Sequence, residues 1–284
     1  MNIQQALQYA NQQLLDCSPS ASLDTQVLLS HVLQCNSAHL IAWPEKELNT
    51  QQEDNFRVLI KQRQQGKPVA HLTGEREFWS LNFKVNDSTL IPRPETETLI
   101  EYILEKFAKQ NNIKLLDMGT GTGAIAIALA NEKPGWKIAA CDISSQAIQL
   151  AEQNSLNHQT NNITFIQSDW FSDIQANNFN IIVSNPPYIA EDDDHLSQGD
   201  VRFEPRSALT SGITGLDDIE YLCQHAKQHL LNHGYLIIEH GYDQQQSVKD
   251  CFIRNGFSTV EQRQDLSGQP RMTAGQYFTQ PSND

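Results

Sequence analysis

Residues 115–123 read Leu115-Leu116-Asp117-Met118-Gly119-Thr120-Gly121-Thr122-Gly123 and run directly into the apolar segment Ala124 to Ala130. A short apolar run, three glycines at alternate positions and a longer apolar run predict a strand, a tight turn and a helix. Glycines let the backbone turn sharply and approach a ligand closely, and the N–H groups at a helix start favour a polar or anionic group. The segment therefore predicts a ligand-binding turn.

Strand-like and helical patterns alternate from Ile113 to Phe257, which predicts an α/β fold with a parallel sheet and helices on both faces. The further predicted strands are Lys137 to Cys141, Ile163 to Gln167, Phe179 to Ser184 and Tyr235 to Glu239. Helices are predicted over Leu216 to Asn232 and Gln245 to Asn255. Residues Ser258 to Phe278 alternate around a polar turn and predict a closing antiparallel hairpin.

The first third of the chain has helical periodicity instead. One helix carries an apolar stripe from Ile3 to Leu14, and a second covers Ser22 to Gln34. A third covers Gln51 to Gln65, opened by a capping box of Thr50 and Glu53. We predict a small helical domain over 1–74 that recognises a macromolecule or braces the catalytic part, a β-hairpin linker over 75–93 and a catalytic domain over 94–284.

The segment Ile91-Pro92-Arg93-Pro94-Glu95-Thr96-Glu97 leads into a predicted helix from Pro94 to Lys109. Pro94 suits the first helical turn, and the carboxylates complement the helix dipole there. Arg93 stands between two prolines in a rigid loop, which is a natural place for a ligand contact. Whether Arg93 and Glu97 contact ligand is left open by the sequence.

Asn185-Pro186-Pro187-Tyr188 follows the predicted strand Phe179 to Ser184. An isolated Pro-Pro-Tyr ordinarily just ends a strand, but the full string suits the methylation of a planar nitrogen. The Asn185 side-chain oxygen and the Pro186 carbonyl can accept its two N–H protons, and the Tyr188 ring can stack on the planar group.

Four motifs fall at the carboxyl ends of predicted parallel strands, where ligands bind in such sheets. They are the glycine turn, Asp142, Asp169-Trp170 and Asn185 to Tyr188. Asp142, nineteen residues past Gly123, suits the two hydroxyls of a ribose. Trp170 is either a core aromatic or a surface on which an adenine stacks, and the second reading is favoured here.

The glycine turn also fits the dinucleotide fingerprint, since Gly119, Gly121 and Ala124 satisfy G-x-G-x-x-G/A. Two observations weigh against NAD. Asp117 precedes the first glycine, where it would repel a pyrophosphate but suits the cationic amino group of S-adenosylmethionine. Hydride transfer also has no evident use for Asn185 to Tyr188.

Composition narrows the function further. The 284 residues carry a formal net charge of −14, without the basic footprint that nucleic-acid binding needs. The acidic cluster Glu191 to Asp194 is ordinarily a solvated loop, and it favours a basic protein partner over a polyanion. No signal-peptide pattern or membrane-length apolar run is present, so we expect a cytoplasmic protein. Five cysteines without CxxC or Cys/His spacing predict neither disulfides nor a metal site.

The chain resembles the PrmC/HemK family of peptide chain release factor N5-glutamine methyltransferases over essentially its whole length. The resemblance rests on Gly74 to Phe78, Ile91 to Glu97, Leu116 to Gly123 and Asn185 to Tyr188, in the family's order. It implies a class I, Rossmann-like methyltransferase domain behind a helical N-terminal domain. It also implies a substrate, the glutamine in the Gly-Gly-Gln motif of class I release factors.

The resemblance carries over to individual residues. S-adenosyl-L-methionine, which leaves as S-adenosyl-L-homocysteine, would be bound by Gly119, Thr120, Gly121, Thr122, Gly123, Asp142, Trp170 and Asn185. The glutamine would be held by Asn185, Pro186, Pro187 and Tyr188, of which Asn185, Pro186 and Tyr188 are the predicted catalytic residues. A monomer is the default expectation, and no nucleic acid, membrane or metal is expected.

Three alternatives remain at the level of sequence. A glutamine methyltransferase of a ribosomal protein would share the glycine turn and Asn185 to Tyr188, although the loop Ile91 to Glu97 resembles the release-factor branch more. An adenine-N6 or guanine-N2 methyltransferase of nucleic acid would use a similar tetrapeptide on a flipped base. A non-catalytic module or an NAD-linked protein of the same fold is the third.

Overall fold

The computed structural model describes residues 1–175 and 178–279, and the chain divides into two compact units. The first unit comprises residues 1–75 together with 194–203, and the second comprises 76–193 and the chain from 204 onward. Residues 194–203 were expected in the catalytic domain, whereas this division groups them with the helical unit. The boundaries 1–74, 75–93 and 94–284 stay a prediction.

The first unit contains five α-helices among the described residues: α1 (Ile3–Leu14), α2 (Ala21–Leu33), α3 (Ser37–Ala42), α4 (Thr50–Gln64) and α5 (Val69–Thr73). The three longer ones match the predicted helices, whereas α3 and α5 are too short to produce a periodic pattern. Their core includes Ile3, Leu14, Leu28, Phe56 and Ile60, each at most 1% exposed.

The predicted capping box of α4 is wrong by one residue. Asn49, not Thr50, is the N-cap: its side chain accepts from the N–H of Gln52, and the Gln52 side chain accepts from the N–H of Asn49. Asparagine is at least as good an N-cap as threonine, so the helix starts one residue earlier. Thr50 is thereby the first helical residue.

The predicted hairpin is formed by β1 (Glu75–Phe78) and β2 (Leu81–Lys84). Its two turn residues, Trp79 and Ser80, have φ values of 52° and 58°, a conformation that turns of this kind ordinarily reserve for Gly or Asn. Two carboxylates stabilise this unusual turn conformation by accepting hydrogen bonds from its backbone. The Trp79 N–H donates to Glu97 Oε1 at 2.8 Å, and the Ser80 N–H donates to Glu77 Oε1 at 2.7 Å.

The second unit continues with a short 3-10 turn over Pro94–Thr96 and then alternating helices and strands. These are α6 (Glu97–Lys106), β3 (Lys114–Met118), α7 (Ala124–Glu132), β4 (Lys137–Asp142), α8 (Ser145–Asn157), β5 (Ile163–Gln167), β6 (Phe179–Ser184), α9 (Asp217–His225), β7 (Leu230–Glu239), α10 (Gln245–Arg254), β8 (Ser258–Gln264) and β9 (Pro270–Gln276).

Within residues 1–175 and 178–279, the large sheet has seven strands in the order β5-β4-β3-β6-β7-β9-β8. Strands β3 to β7 are parallel, and the hairpin β8–β9 adds antiparallel to β7. Two apolar cores pack the unit, one built around α6 and α7 and the other around α9 and α10. The predicted α/β fold and its closing hairpin are confirmed.

The helix predicted over Leu216 to Asn232 is too long. Helix α9 ends at His225, a 3-10 turn covers Ala226–Gln228, and β7 begins at Leu230. Leu230 pairs with Phe179 of the neighbouring strand. Strand pairing with a distant residue therefore determines this segment, and no Gly or Pro before Gly234 marks the change locally.

The strand order switches sides at β3. The chain first adds β4 and β5 on one side of β3, and it then adds β6 on the other side of β3. Met118 and Ser184, the last residues of β3 and β6, are register partners, and the Ser184 hydroxyl donates to the Met118 carbonyl at 2.7 Å. Gly119 and Asn185 therefore start from adjacent strand ends, where ligands bind in such sheets.

Candidate active site

The glycine turn between β3 and α7 is compact and largely bonded to itself and to β4. Gly119, Gly121 and Gly123 have φ values of 71°, 55° and 83°, which favour glycine. The N–H groups of Gly119 and Thr120 donate to the Cys141 carbonyl, that of Gly121 to Asp142, and that of Gly123 to the Thr120 carbonyl. These N–H groups are thus already used, and the turn offers a ligand close backbone approach more than free donors.

The Asp117 side chain hydrogen-bonds the glycine turn. Its side chain is fully buried; Oδ2 accepts from the Thr120 hydroxyl at 2.6 Å and from the Ala126 N–H at 3.2 Å. Burial raises the pKa of Asp117 to about 7. It is not among the described residues that line the cavity next to the turn. Its second oxygen, Oδ1, is buried without a hydrogen-bond partner among the described residues, so the expectation that Asp117 helps hold a cationic amino group stays a prediction.

A cavity of about 300 Å³ opens at the carboxyl ends of β3, β4 and β6. Predicted site residues that line it are Gly119, Thr120, Gly121, Thr122, Asp142, Trp170, Asn185 and Pro187. Gly123, Pro186 and Tyr188 are not among its lining residues in the described chain. The structure therefore brings together residues from all four predicted motifs, and their individual roles stay predictions.

Asp142 ends β4 and presents a fixed carboxylate to the cavity. Its Oδ2 accepts from the Gly121 N–H and its Oδ1 from the Ser144 N–H, each at 2.9 Å. Burial raises its pKa, and these backbone N–H groups oppose that rise. Each carboxylate oxygen has a further lone pair. The arrangement suits hydroxyl donors such as those of a ribose.

Trp170 is partly buried and lies near Gly119, where an added Cβ would be 3.9 Å from its ring. Its backbone has a φ of 47°, and its carbonyl accepts from the Ser168 hydroxyl at 2.7 Å. Trp170 lines the cavity and also packs against the apolar core around α9 and α10. Its role as a stacking surface for an adenine stays a prediction.

Asn185 to Tyr188 leave β6 as a segment outside any helix or strand. The Asn185 amide nitrogen donates to the Thr96 hydroxyl at 3.0 Å. The Tyr188 hydroxyl donates to Glu239 Oε1 at 3.3 Å, and its carbonyl accepts from Gln244 at 2.9 Å. Tyr188 thus anchors the segment at one end, while Asn185 lies on the cavity.

Glu239, at the end of β7, is a further buried carboxylate near the site, at 1% exposure. Burial raises its pKa to about 7, and the hydrogen bond from Tyr188 and the charge of Arg271 act in the opposite direction. The same burial raises the pKa of Tyr188. Glu239 is not among the described cavity-lining residues, so it acts on the site only through its neighbours.

Several lining or supporting residues were not predicted from the sequence. Thr89 lines the cavity with a hydroxyl that is buried and has no hydrogen-bond partner among the described residues. Arg93 also lines it and donates to both carboxylate oxygens of Glu204, at 2.8 and 2.9 Å. Among these residues, only Arg93 is marked by a sequence feature, which is its position between two prolines. The others are isolated polar residues outside any motif.

Two protein-family models match the chain, the PrmC N-terminal domain over residues 5–74 and the methyltransferase small domain over residues 96–202. A release factor glutamine methyltransferase of Shewanella oneidensis is 48% identical over 97% of this chain and 96% of its own length. The chain belongs to the release factor glutamine methyltransferase family.

A second family member, from Escherichia coli, is 43% identical over 93% of this chain and 95% of its own length. Among solved structures, a methyltransferase from Pyrococcus furiosus superposes with a TM-score of 0.53 at 16% identity, covering 80% of this chain and all of that one. That likeness concerns the fold alone. Together these comparisons confirm the family and the methyltransferase fold expected from the sequence motifs.

Proposed function

We propose that this chain transfers a methyl group from S-adenosyl-L-methionine to the side-chain nitrogen, N5, of the glutamine in the Gly-Gly-Gln motif of class I release factors. The observation that carries the proposal is the register pairing of Met118 with Ser184. It sets the glycine turn and Asn185 side by side on one cavity. A donor site and an acceptor site for a methyl group thereby adjoin.

The residues of the cavity fit S-adenosyl-L-methionine. Asp142 supplies fixed acceptors for ribose hydroxyls, and Trp170 supplies an aromatic face on the cavity for an adenine. The buried Thr89 hydroxyl has no partner among the described residues and is available to a further polar group. When bound, the cofactor supplies an electrophilic methyl group on a sulfonium.

The chain's own contribution is to hold the acceptor amide. Because an amide nitrogen shares its lone pair with the carbonyl, two hydrogen-bond acceptors must draw it toward a tetrahedral form. We assign these two acceptors to the Asn185 side-chain oxygen and the Pro186 carbonyl. Their hydrogen bonds to the amide strengthen as its nitrogen becomes cationic. The methylated amide is then strongly acidic and releases its proton to water, so no dedicated base is needed. Positioning is the main source of rate.

The turn's hydrogen bonding also weighs against an NAD-linked protein. A dinucleotide pyrophosphate is bound by free N–H groups of such a turn. Those of Gly119, Thr120, Gly121 and Gly123 are bonded within the protein. At Gly121 a pyrophosphate would compete with the Asp142 carboxylate for the same N–H group.

The proposal is tested by offering three acceptors in parallel with labelled S-adenosyl-L-methionine: a purified release factor, a purified set of ribosomal proteins and duplex DNA or tRNA. We expect label in the release factor alone. Label in a ribosomal protein or in nucleic acid, with none in the release factor, would assign the chain to one of the alternative substrates. Binding of NAD in place of S-adenosyl-L-methionine would refute the donor.

A further inference from the structure

Gln244 bonds three separate stretches of backbone with one side-chain amide. Its nitrogen donates to the Tyr188 carbonyl at 2.9 Å and to the Gly215 carbonyl at 3.2 Å, and its oxygen accepts from the Gly241 N–H at 2.9 Å. These partners belong to the end of the tetrapeptide Asn185 to Tyr188, to the loop before α9 and to the loop after β7. One side chain therefore joins the tetrapeptide to two loops of the same unit.

The polarity of the three partners allows only one orientation of the Gln244 amide. A backbone carbonyl only accepts hydrogen bonds, and a backbone N–H only donates them. If the amide were rotated by half a turn, its oxygen would face two carbonyls and its nitrogen would face the Gly241 N–H. All three hydrogen bonds would then be lost. A glutamine matches the arrangement because its NH2 group has two protons and its oxygen accepts.

The loop before α9 approaches the Tyr188 carbonyl closely. Gly215 is buried with a φ of 71°, and a Cβ there would collide with the Tyr188 carbonyl oxygen and lie 2.9 Å from the Gln244 amide nitrogen. The two carbonyls of Tyr188 and Gly215 share this nitrogen as their donor. Removing the donor would leave two acceptors side by side without it.

The backbone of Tyr188 is also held by its N–H side. The N–H groups of Tyr188 and Ile189 both donate to the Leu209 carbonyl, at 3.2 and 2.9 Å. The Tyr188 carbonyl and the Ile189 N–H belong to one planar peptide group, which is thus bonded to Gln244 on one edge and to Leu209 on the other. Both peptide groups that flank Tyr188 are therefore held, and with them the direction in which its side chain leaves the backbone.

The prolines carry this constraint back along the tetrapeptide. The Pro187 ring fixes its own φ. Only ψ of Pro187 is then free to rotate between the held peptide group before Tyr188 and the peptide group that contains the Pro186 carbonyl. The anchor at Tyr188 therefore restricts the direction of that carbonyl.

We propose that Gln244 is a positioning residue of the methyl-acceptor site, which sets the direction of the Tyr188 ring and, through Pro187, of the Pro186 carbonyl. The inference rests on the proposed function of Asn185 to Tyr188. Gln244 is not among the described residues that line the cavity, so it acts through the tetrapeptide and not on the cofactor.

The kinetic test uses substitutions of Gln244 that differ in hydrogen bonding. Gln244→Glu keeps an acceptor for the Gly241 N–H and sets a carboxylate oxygen against two carbonyls. Gln244 is the N-cap of α10, where a carboxylate complements the helix dipole, so the helix itself should not be weakened. Gln244→Met removes the amide without adding charge. We expect kcat on a release factor to fall about 10- to 100-fold in both, because misplaced acceptors lose rate.

Cofactor binding separates this role from a general effect on the site. The affinity for S-adenosyl-L-homocysteine, measured by calorimetry, should stay within about twofold in both Gln244 variants, a margin small against the loss of kcat. Gln245→Glu makes the same change of charge one residue further along the chain. It is the matched control and should behave as wild type in both measurements.

A further measurement does not depend on activity. Amide hydrogen exchange at Tyr188 and Ile189 reports whether the tetrapeptide is held, and exchange at Gly241 reports on the bond that Gln244→Glu retains. We expect faster exchange at Tyr188 and Ile189 in Gln244→Glu, with Gly241 unchanged, and wild-type exchange at all three in Gln245→Glu.

Two results would overturn the inference. One is a Gln244→Glu variant that keeps wild-type kcat or wild-type exchange at Ile189. The other is a loss of cofactor affinity as large as the loss of kcat, because Gln244 would then support the whole site and not the tetrapeptide. If wild type failed to methylate a release factor, the proposed function would fail, and the exchange data would still decide whether Gln244 holds the segment.

Discussion

At the residue scale, Asn185 is fixed from one side and faces the cavity on the other. Its amide nitrogen donates to Thr96, and at the other end of the tetrapeptide the Tyr188 hydroxyl donates to Glu239, whose pKa burial raises to about 7. An ionised Glu239 accepts the Tyr188 proton, whereas a protonated Glu239 competes as a donor. The Tyr188 anchor of the tetrapeptide is therefore complete only when Glu239 is charged.

This linkage predicts a pH dependence. As pH falls through about 7, Glu239 gains a proton, and we expect kcat at saturating cofactor to fall with it; above that range kcat should be constant. Asp117 also has a pKa of about 7, so the two acids must be separated by substitution. Glu239→Gln should lower kcat and abolish the slope, while Asp117→Asn should keep the slope. An unchanged slope in Glu239→Gln would exclude this role for Glu239.

Single residues were predictable from the sequence where a motif surrounds them. Asp142 and Trp170 directly follow or end predicted strands, and both line the cavity. Glu239 and Thr89 gave no signal, because a lone acid or hydroxyl is ordinarily a surface residue. Tyr188 was expected to stack on the substrate, which stays a prediction; the structure shows in addition that its hydroxyl donates to Glu239. Only packing reveals such second partners.

At the element scale, the close fit of the glycine turn against its helices gives a stability prediction. A Cβ on Gly123 would lie 2.8 Å from Ile127 Cδ1 and 3.1 Å from Ala151 Cβ, at a φ of 83°. Gly268 has a φ of 80° with nothing within 4 Å of an added Cβ. Alanine at either position therefore carries the cost of a positive φ, and only at Gly123 does its methyl group also collide with neighbouring atoms.

We expect Gly268→Ala to lower the free energy of unfolding by about 1 kcal/mol, the cost of a left-handed alanine. Gly123→Ala should lower it by a further 1–3 kcal/mol, roughly the cost of overpacking a core. Urea unfolding followed by circular dichroism measures both. Equal losses in the two variants would show that α7 and α8 relax around the added methyl group.

Elements were predicted well where the local pattern and the sheet agree. Strands β5 and β6 have the bounds expected from their apolar runs, and β4 is one residue longer. The start of β7 was misassigned as helix because its pairing with β6 is invisible locally. The cap of α4 was misplaced because two suitable cap residues, Asn49 and Thr50, are adjacent. These errors concern element ends and leave the fold class unchanged.

At the scale of the whole molecule, the helical unit includes a segment from far along the chain. Arg63 donates to Asp24 at 2.7 Å and to Asp200 at 2.9 Å. The side chains of Arg63 and Asp24 are 9% and 8% exposed. Arg63 thereby ties residues 194–203 to this unit. Sequence could not predict the contact, because 137 residues separate its partners.

Removing this arginine leaves the buried Asp24 without its counter-charge. We expect Arg63→Met to lower the free energy of unfolding by roughly 3–5 kcal/mol, as for other broken buried ion pairs. Arg57→Met is the control, because Arg57 is 43% exposed beside Glu53 and such pairs contribute about 0–1 kcal/mol. Similar losses in both variants would show that the Arg63 contacts are no stronger than a surface pair.

The proposed reaction requires a glutamine amide as the methyl acceptor. The most direct measurement is methyl transfer from labelled S-adenosyl-L-methionine into a purified release factor whose Gly-Gly-Gln glutamine is either intact or replaced by alanine. We predict one labelled N5-methylglutamine per intact factor and no label above background in the replaced one. Label that persists after the glutamine is replaced would contradict the account.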